Sequence, residues 1–229
     1  MIHLIQFHYS TDNLGYLLFS GTAALAVDPG DPDPVMGILR KKNLQLKMIV
    51  NTHGHYDHTS GNARLSSLTG AEILKPGGNE LSGILAEPIS VIATPGHTED
   101  SICLHFDHRL LTGDTLFIAN IGNCPPSRLK IFRHSLSRIL SLDDETVVYP
   151  GHDYTERSLQ RAATIEKDNE DLKEFIAAYH SPPVASTIGI EKRINPYLRT
   201  DSPEVITYLK ENNKATTNAF QRFKSFIEL

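Results

Sequence analysis

The chain has 229 residues, with 22 lysines and arginines against 27 aspartates and glutamates, a formal net charge of −5. That length can bury the core of one ordinary domain plus an extension. The acidic balance and the lack of a basic stripe exclude nucleic acid or an anionic membrane as electrostatic partners, and no run of 18 apolar residues provides a membrane span.

Strands are predicted over residues 2–7, 15–19 and 23–27, with a turn at Ser20-Gly21-Thr22. Asp28-Pro29-Gly30-Asp31-Pro32 is dense turn chemistry, and a helix is expected over 34–42. A short apolar strand at 48–50 follows. Next come a helix over 61–69, strands over 71–74 and 89–93, a hairpin of 101–106 with 109–111, and a last strand at 146–149. Beyond it Leu159, Ala162 and Ala163, then Leu172, Phe175, Ile176 and Tyr179, recur at helical intervals. Pro182-Pro183 breaks the pattern. Ser202-Pro203-Glu204 opens another helix, with serine as cap and proline in the first turn. Phe220, Phe223 and Ile227 mark a final one. The expected organisation is an α/β domain over residues 1–153 and a helical domain over 154–229. Two cysteines, Cys103 and Cys124, are too few for a disulfide framework, and Met1-Ile2-His3-Leu4 lacks a basic segment before an apolar one. A reducing cytoplasm and no signal peptide are therefore expected.

The densest chemistry is Thr52-His53-Gly54-His55-Tyr56-Asp57-His58, three imidazoles and a carboxylate directly after a buried strand. Neutral imidazole suits zinc, iron and related ions, and a carboxylate adds charge for a second cation. A loop is expected here rather than a helix, which would swing adjacent Asp57 and His58 about a quarter turn apart. Three more ligand-type residues follow strand ends: His97 in Pro95-Gly96-His97, Asp114 in Gly113-Asp114-Thr115 and His152 in Pro150-Gly151-His152. Ends of strands in one sheet lie along one edge, so these loops are expected to meet above it.

The pattern His53-x-His55-x-Asp57-His58, then His97, Asp114 and His152, resembles the metallo-β-lactamase superfamily of binuclear metallohydrolases over roughly residues 12–153. The resemblance implies a four-layer αββα sandwich. It implies one metal on His53, His55 and His97, a second on Asp57, His58 and His152, and Asp114 bridging both. Asp28 matches the superfamily's early aspartate, which steadies the site. Two cations about 3.5 Å apart would share a hydroxide of lowered pKa and polarise a carbonyl, so that Asp57 and Asp114 act as ligands of the catalytic hydroxide. Zinc is the expected metal, with iron or manganese as alternatives.

Gly113-Asp114-Thr115-Leu116-Phe117, Gly151-His152-Asp153-Tyr154-Thr155 and the segment from Glu191 through Asn195-Pro196-Tyr197-Leu198-Arg199 resemble glyoxalase II, or hydroxyacylglutathione hydrolase. The implied reaction cleaves S-2-hydroxyacylglutathione, notably S-D-lactoylglutathione; a thiolate leaves without a strong general acid. Tyr154, Arg222 and Lys224 are the implied substrate contacts. The chain departs from the family where a lysine and a tyrosine grip glutathione: here stand Asn123 and Pro125. Gln221 occupies the arginine position of the C-terminal Arg-x-x-Lys. Another acyl thioester, a lactone, or the chemistry of a mononuclear iron persulfide dioxygenase, whose metal sits on two histidines and a carboxylate, are the competing expectations. Cys124 is expected near the mouth of the site as a small buried or half-buried thiol.

Overall fold

The computed structural model describes residues 1–74 and 80–229. Strands β1 (His3–His8), β2 (Leu14–Ser20) and β3 (Ala23–Val27) form an antiparallel meander. Helix α1 (Pro32–Lys42) then carries the chain across to β4 (Gln45–Val50), parallel to β3. Asp31 caps α1 by accepting from the Asp33 N–H at 3.0 Å. A single helical turn α2 (Tyr56–Thr59) and helix α3 (Asn62–Thr69) lead to β5 (Glu72–Leu74), which completes a five-stranded sheet in the order β1-β2-β3-β4-β5.

A second sheet begins with β6 (Glu80–Leu81), β7 (Ile89–Ala93), β8 (Ile102–Phe106) and β9 (Arg109–Gly113). The short hairpin β10 (Leu116–Phe117) and β11 (Asn120–Ile121) follows. A 3-10 turn and α4 (Leu129–Ile139) then cross to β12 (Val147–Pro150), parallel to β9. Helices α5 (Thr155–Ile165) and α6 (Glu170–Ala178) lead to β13 (Ser186–Thr187), which pairs with β12 and gives the order β13-β12-β9-β8-β7-β6. Helices α7 (Ile188–Ile194), α8 (Pro203–Glu211) and α9 (Ala219–Ile227) close the chain.

The two-residue alternation of the strands builds four layers. Tyr16, Leu18, Leu25 and Val27 turn inward and meet Leu104, Phe106 and Leu111 of the other sheet. Their neighbours Leu17, Ala24 and Ala26 turn outward against Val35, Leu39 and Leu65 of α1 and α3. On the far side Cys103, Leu110 and Val148 pack on Phe132, Leu136 and Ile139 of α4. The result is the expected αββα sandwich. The helical segment is stitched into it: β13 extends the second sheet, Leu159 and Ala162 of α5 join the inter-sheet core, and Phe223 of α9 packs with the α4 layer.

The predicted elements lie within a few residues of the observed ones, with two corrections. Tyr56–Thr59 is helical, not loop, with His55 at its N-cap. And the four ligand-bearing loops do not come from one sheet: β4 belongs to the five-stranded sheet, whereas β7, β9 and β12 belong to the six-stranded one. The sheets share an edge because bonds tie them across it. Ile102 N donates to Thr52 O at 2.8 Å, Leu14 N donates to Gly151 O at 2.9 Å, and the Tyr16 hydroxyl donates to Pro150 O. Helix α4 was not anticipated, although Leu129, Phe132, Leu136 and Ile139 recur at three- and four-residue intervals.

Candidate metal centre

All seven ligand-type side chains converge at the shared sheet edge. His53 Nε2 lies 3.0 Å from His55 Nδ1, and His97 Nε2 lies 3.0 Å from that same atom. Beside this triad, His58 Nε2 and His152 Nε2 stand 3.2 Å apart, with Asp57 Oδ2 at 3.7 and 3.4 Å from them. Asp114 lies between the groups. Its Oδ2 is 3.5 Å from both His97 Nε2 and His152 Nε2, and its Oδ1 is 3.5 Å from His58 Nε2. Three sets of ligand atoms lie close enough to hold an ion: His53/His55/His97, His53/His58/Asp114 and Asp57/His58/His152.

Local backbone explains the convergence. His53 and His55 follow β4 directly. The helical turn sends His58 inward, fully buried, while Asp57 on the half-exposed side bends back to the same point. A quarter turn between neighbours is thus compatible with both reaching the site, because a short carboxylate and a long imidazole meet from different heights. Glycines make room. A Cβ on Gly151 would sit 2.4 Å from Asp114 Oδ1, and Gly113, at φ +49°, would bring one 2.3 Å from Thr52 Oγ1.

A second ring of contacts orients the imidazoles. His97 Nδ1 donates to Asn123 O at 2.7 Å, which aims its Nε2 inward. His152 Nδ1 is 3.3 Å from Asp12 Oδ1, and His58 Nδ1 is 3.2 Å from Asp28 Oδ2. Asp28, fully buried, also accepts from Thr52 N at 2.8 Å and Thr52 Oγ1 at 2.7 Å. Asn13 Nδ2 donates to Asp57 Oδ2 at 3.0 Å. Asp12 and Asn13 escaped the sequence reading; the turn that carries them has no ligand-like spacing, and only the pairing of Asn13 with His152 brings them in.

The electrostatics suit a cation. Burial holds His53 down at about 4, so its imidazole is neutral and free to donate a lone pair; burial lowers His97 as well. Burial also opposes charge on His58, but Asp28, Asp114 and Asp57 outweigh it and raise it to about 9. Asp114 resists its own burial through His152 and His58 and stays ionised, at about 2. Three carboxylates therefore draw positive charge to one point, and Asp114 Oδ1 is a buried acceptor with no hydrogen-bond donor among the described residues. Imidazoles, two of them held neutral by burial, beside ionised carboxylates and an orphaned buried oxygen make a donor set that fits divalent cations, which would displace the proton that the carboxylates hold on His58.

A cavity of about 410 Å³ opens from His97 and Asp114. Phe117 and Tyr154 form part of its wall. Tyr154 stacks on His152, with ring centroids 4.9 Å apart and planes at 12°, and meets Phe117 edge-on at 5.1 Å. The other two implied substrate contacts lie elsewhere. Arg222 donates to Thr200 O at 2.8 Å, to Thr216 O at 3.1 Å and to Asp201, which fastens α9 to the loops before α8 and before α9. Lys224 pairs with Glu228 at 3.8 Å, one turn further along α9. The cations that do line the cavity are Arg157 and Arg161 of α5. Cys124 is buried near this site, its Sγ 3.4 Å from Gly96 O, and burial pushes its thiol up to about 11.

The αββα sandwich with its histidine and aspartate cluster on one edge defines the metallo-β-lactamase class of metal-dependent proteins, and the sequence comparisons agree. The profile described as "Metallo-beta-lactamase superfamily" matches residues 13–80 and 73–152, and "Hydroxyacylglutathione hydrolase C-terminus" matches residues 153–226. A hydroxyacylglutathione hydrolase of Anaeromyxobacter dehalogenans is 38% identical over 220 residues, covering 86% of each chain. That of Methylobacillus flagellatus is 34% identical and covers 100% of this chain and 98% of its own. This chain belongs to the hydroxyacylglutathione hydrolase family. Among solved structures, ETHE1 from Myxococcus xanthus superimposes with a TM-score of 0.71 over 99% of this chain and 90% of its own; at 24% identity that likeness is one of fold.

Proposed function

We propose that this chain hydrolyses the thioester of an S-2-hydroxyacylglutathione, S-D-lactoylglutathione first, to the hydroxy acid and free thiol, using two divalent cations. The carrying observation is the place of Asp114, whose Oδ2 is 3.5 Å from a nitrogen of each histidine group. A carboxylate between two clusters of imidazoles supports a bridging role and a pair of ions. On this reading His53, His55 and His97 hold one ion, and Asp57, His58 and His152 the other. Zinc is the first choice, and iron or manganese use the same ligands. When bound, such ions lower the pKa of water towards neutrality and polarise the acyl carbonyl.

The protein's own groups do the rest. Asp28, Asp12 and the Asn123 carbonyl fix the imidazole orientations. Tyr154, stacked on His152, and Phe117 form an apolar wall that excludes water from one side of the reacting acyl group. The leaving thiolate needs little protonation, so no further general acid is called for. The names of the curated relatives support glutathione as the thiol carrier. We place the reaction in a reducing cytoplasm, in keeping with two free cysteines.

The test is loss of the thioester absorbance of S-D-lactoylglutathione, with metal content measured on the same sample. Two ions per chain and turnover of about 10 per second or more, abolished in Asp114→Ala together with the metal, are expected. Full turnover with no metal bound would refute the reading. So would a single bound iron with oxygen uptake on glutathione persulfide and no thioester loss.

A further inference from the structure

We infer that Arg157 and Arg161 grip the carboxylates of the substrate's thiol half, an inference that rests on the thioester reading above. The two arginines stand one turn apart on α5, on the same face, and line the cavity that also reaches His97 and Asp114. Reaction centre and cations thus share one compartment large enough for a small peptide thioester.

Both arginines are exposed, and neither is among the arginines that form ion pairs in the described residues. They rest on aromatic rings instead. The Arg157 guanidinium lies 3.7 Å from the Tyr154 ring centre, and that of Arg161 lies 5.7 Å from Tyr197 and 5.6 Å from Phe226. The rings support the two guanidinium groups, and with no ion pair to take them up among the described residues their N–H donors can meet a carboxylate. Two like charges a turn apart weaken a helix, so the pair is a cost to α5 that a bound dianion removes. Between them in sequence, Ser158 also lines the cavity. It is 4% exposed, and its Oγ has no hydrogen-bond partner among the described residues. A buried hydroxyl without a partner at this point is a further donor for the same anion.

The chemistry asked for is an acyl thioester whose thiol carrier bears free carboxylates at a distance from the sulfur. Glutathione, with two, meets that description. The grip would take over the task of the lysine and tyrosine missing at Asn123 and Pro125, and of an Arg222 already engaged with Thr200, Thr216 and Asp201.

The experiment uses the metal-loaded full chain, wild type and the variants Arg157→Gln, Arg161→Gln and the double. Two substrates are compared: S-D-lactoylglutathione and the same thioester with both glutathione carboxylates esterified. Each single variant should raise KM for the free acid about tenfold with kcat nearly unchanged, the signature of lost ground-state binding by a charged hydrogen bond. For the esterified substrate, the variants should match wild type. Calorimetric binding of free glutathione should weaken in parallel, independently of turnover. Equal KM for the two substrates in wild type, or equal losses on both in the variants, would overturn the grip and leave the hydrolase standing. A wild-type preference for an S-acyl phosphopantetheine over the glutathione thioester would overturn the carboxylate assignment. Turnover of no thioester at all would remove the underlying reading, and the grip with it.

Discussion

Asp28 Oδ2 lies 3.2 Å from Nδ1 of His58, and both side chains are fully buried. Asp28 sits at φ +50°, in the left-handed region that aspartate tolerates better than most residues. It also holds the Thr52 amide and hydroxyl, so one carboxylate fixes the second residue after β4 and an imidazole of the cluster. Removing it takes the acceptor from the buried Thr52 amide and hydroxyl and the carboxylate from beside His58.

Asp28→Ala should therefore lower metal affinity about 10- to 100-fold, the usual effect of losing a partner that orients a ligand. Stability should fall by several kcal/mol, since each buried donor left without an acceptor costs about 1–3 kcal/mol. Competition with a chromogenic chelator and a thermal melt measure the two effects. Unchanged metal affinity would show that packing alone orients His58.

Gly151→Ala tests the close approach at the cluster. The new methyl would stand 2.4 Å from Asp114 Oδ1 and 3.1 Å from His58 Cε1. Either Asp114 or the β12 end must shift, and overpacking of this kind costs about 1–3 kcal/mol. The expected result is a folded protein by circular dichroism that retains less than half of the wild-type metal. Full metal content would mean that the edge yields without disturbing Asp114.

Glu191 gives a pH prediction. It is fully buried, accepting from Ser186 Oγ at 2.7 Å, Asn195 Nδ2 at 2.9 Å and Ala119 N at 3.0 Å. Burial, only partly offset by these donors, raises its carboxyl to about 7. The folded state therefore binds a proton that the unfolded chain has released. This contribution is complete below the unfolded value near 4.5 and is lost as pH rises through about 7. The loss is on the order of 3 kcal/mol. Glu191→Gln should flatten the fall in urea-unfolding stability between those two pH values. A variant with the wild-type slope would assign that slope to other groups.

Cys124 should be inert. Burial keeps its thiol at about 11, so its thiolate fraction at neutral pH is about 100-fold below that of an ordinary cysteine. Iodoacetamide labelling of the native protein, read by mass spectrometry, should be slower by a similar factor, and Cys124→Ser should keep wild-type turnover. Rapid labelling would place the thiol in an open, electropositive setting.

The sequence alone determined the ingredients of the centre and most of the frame. His53 to His58 are dense in ligand atoms, and His97, Asp114 and His152 each follow a strand signal. Such features are local, and periodicity exposes them within a few residues. Leu17 and Leu18 are identical in sequence, and only the packing put one inward and the other against the helices. What only the tertiary structure decided depends on distance in the chain. Asp12 meets His152 across 140 positions, and Asn13 meets Asp57 across 44. Two sheets, not one, supply the loops, because Thr52 and Ile102 bond across the sandwich edge. Arginines separate in the same way. On a helix, Arg157, Arg161 and Arg222 look alike in sequence; packing turned Arg222 onto backbone carbonyls and left Arg157 and Arg161 on aromatic rings beside the cavity. Local spacing selects the residue types a site needs, but which of them share a point in space is set by how the layers pack.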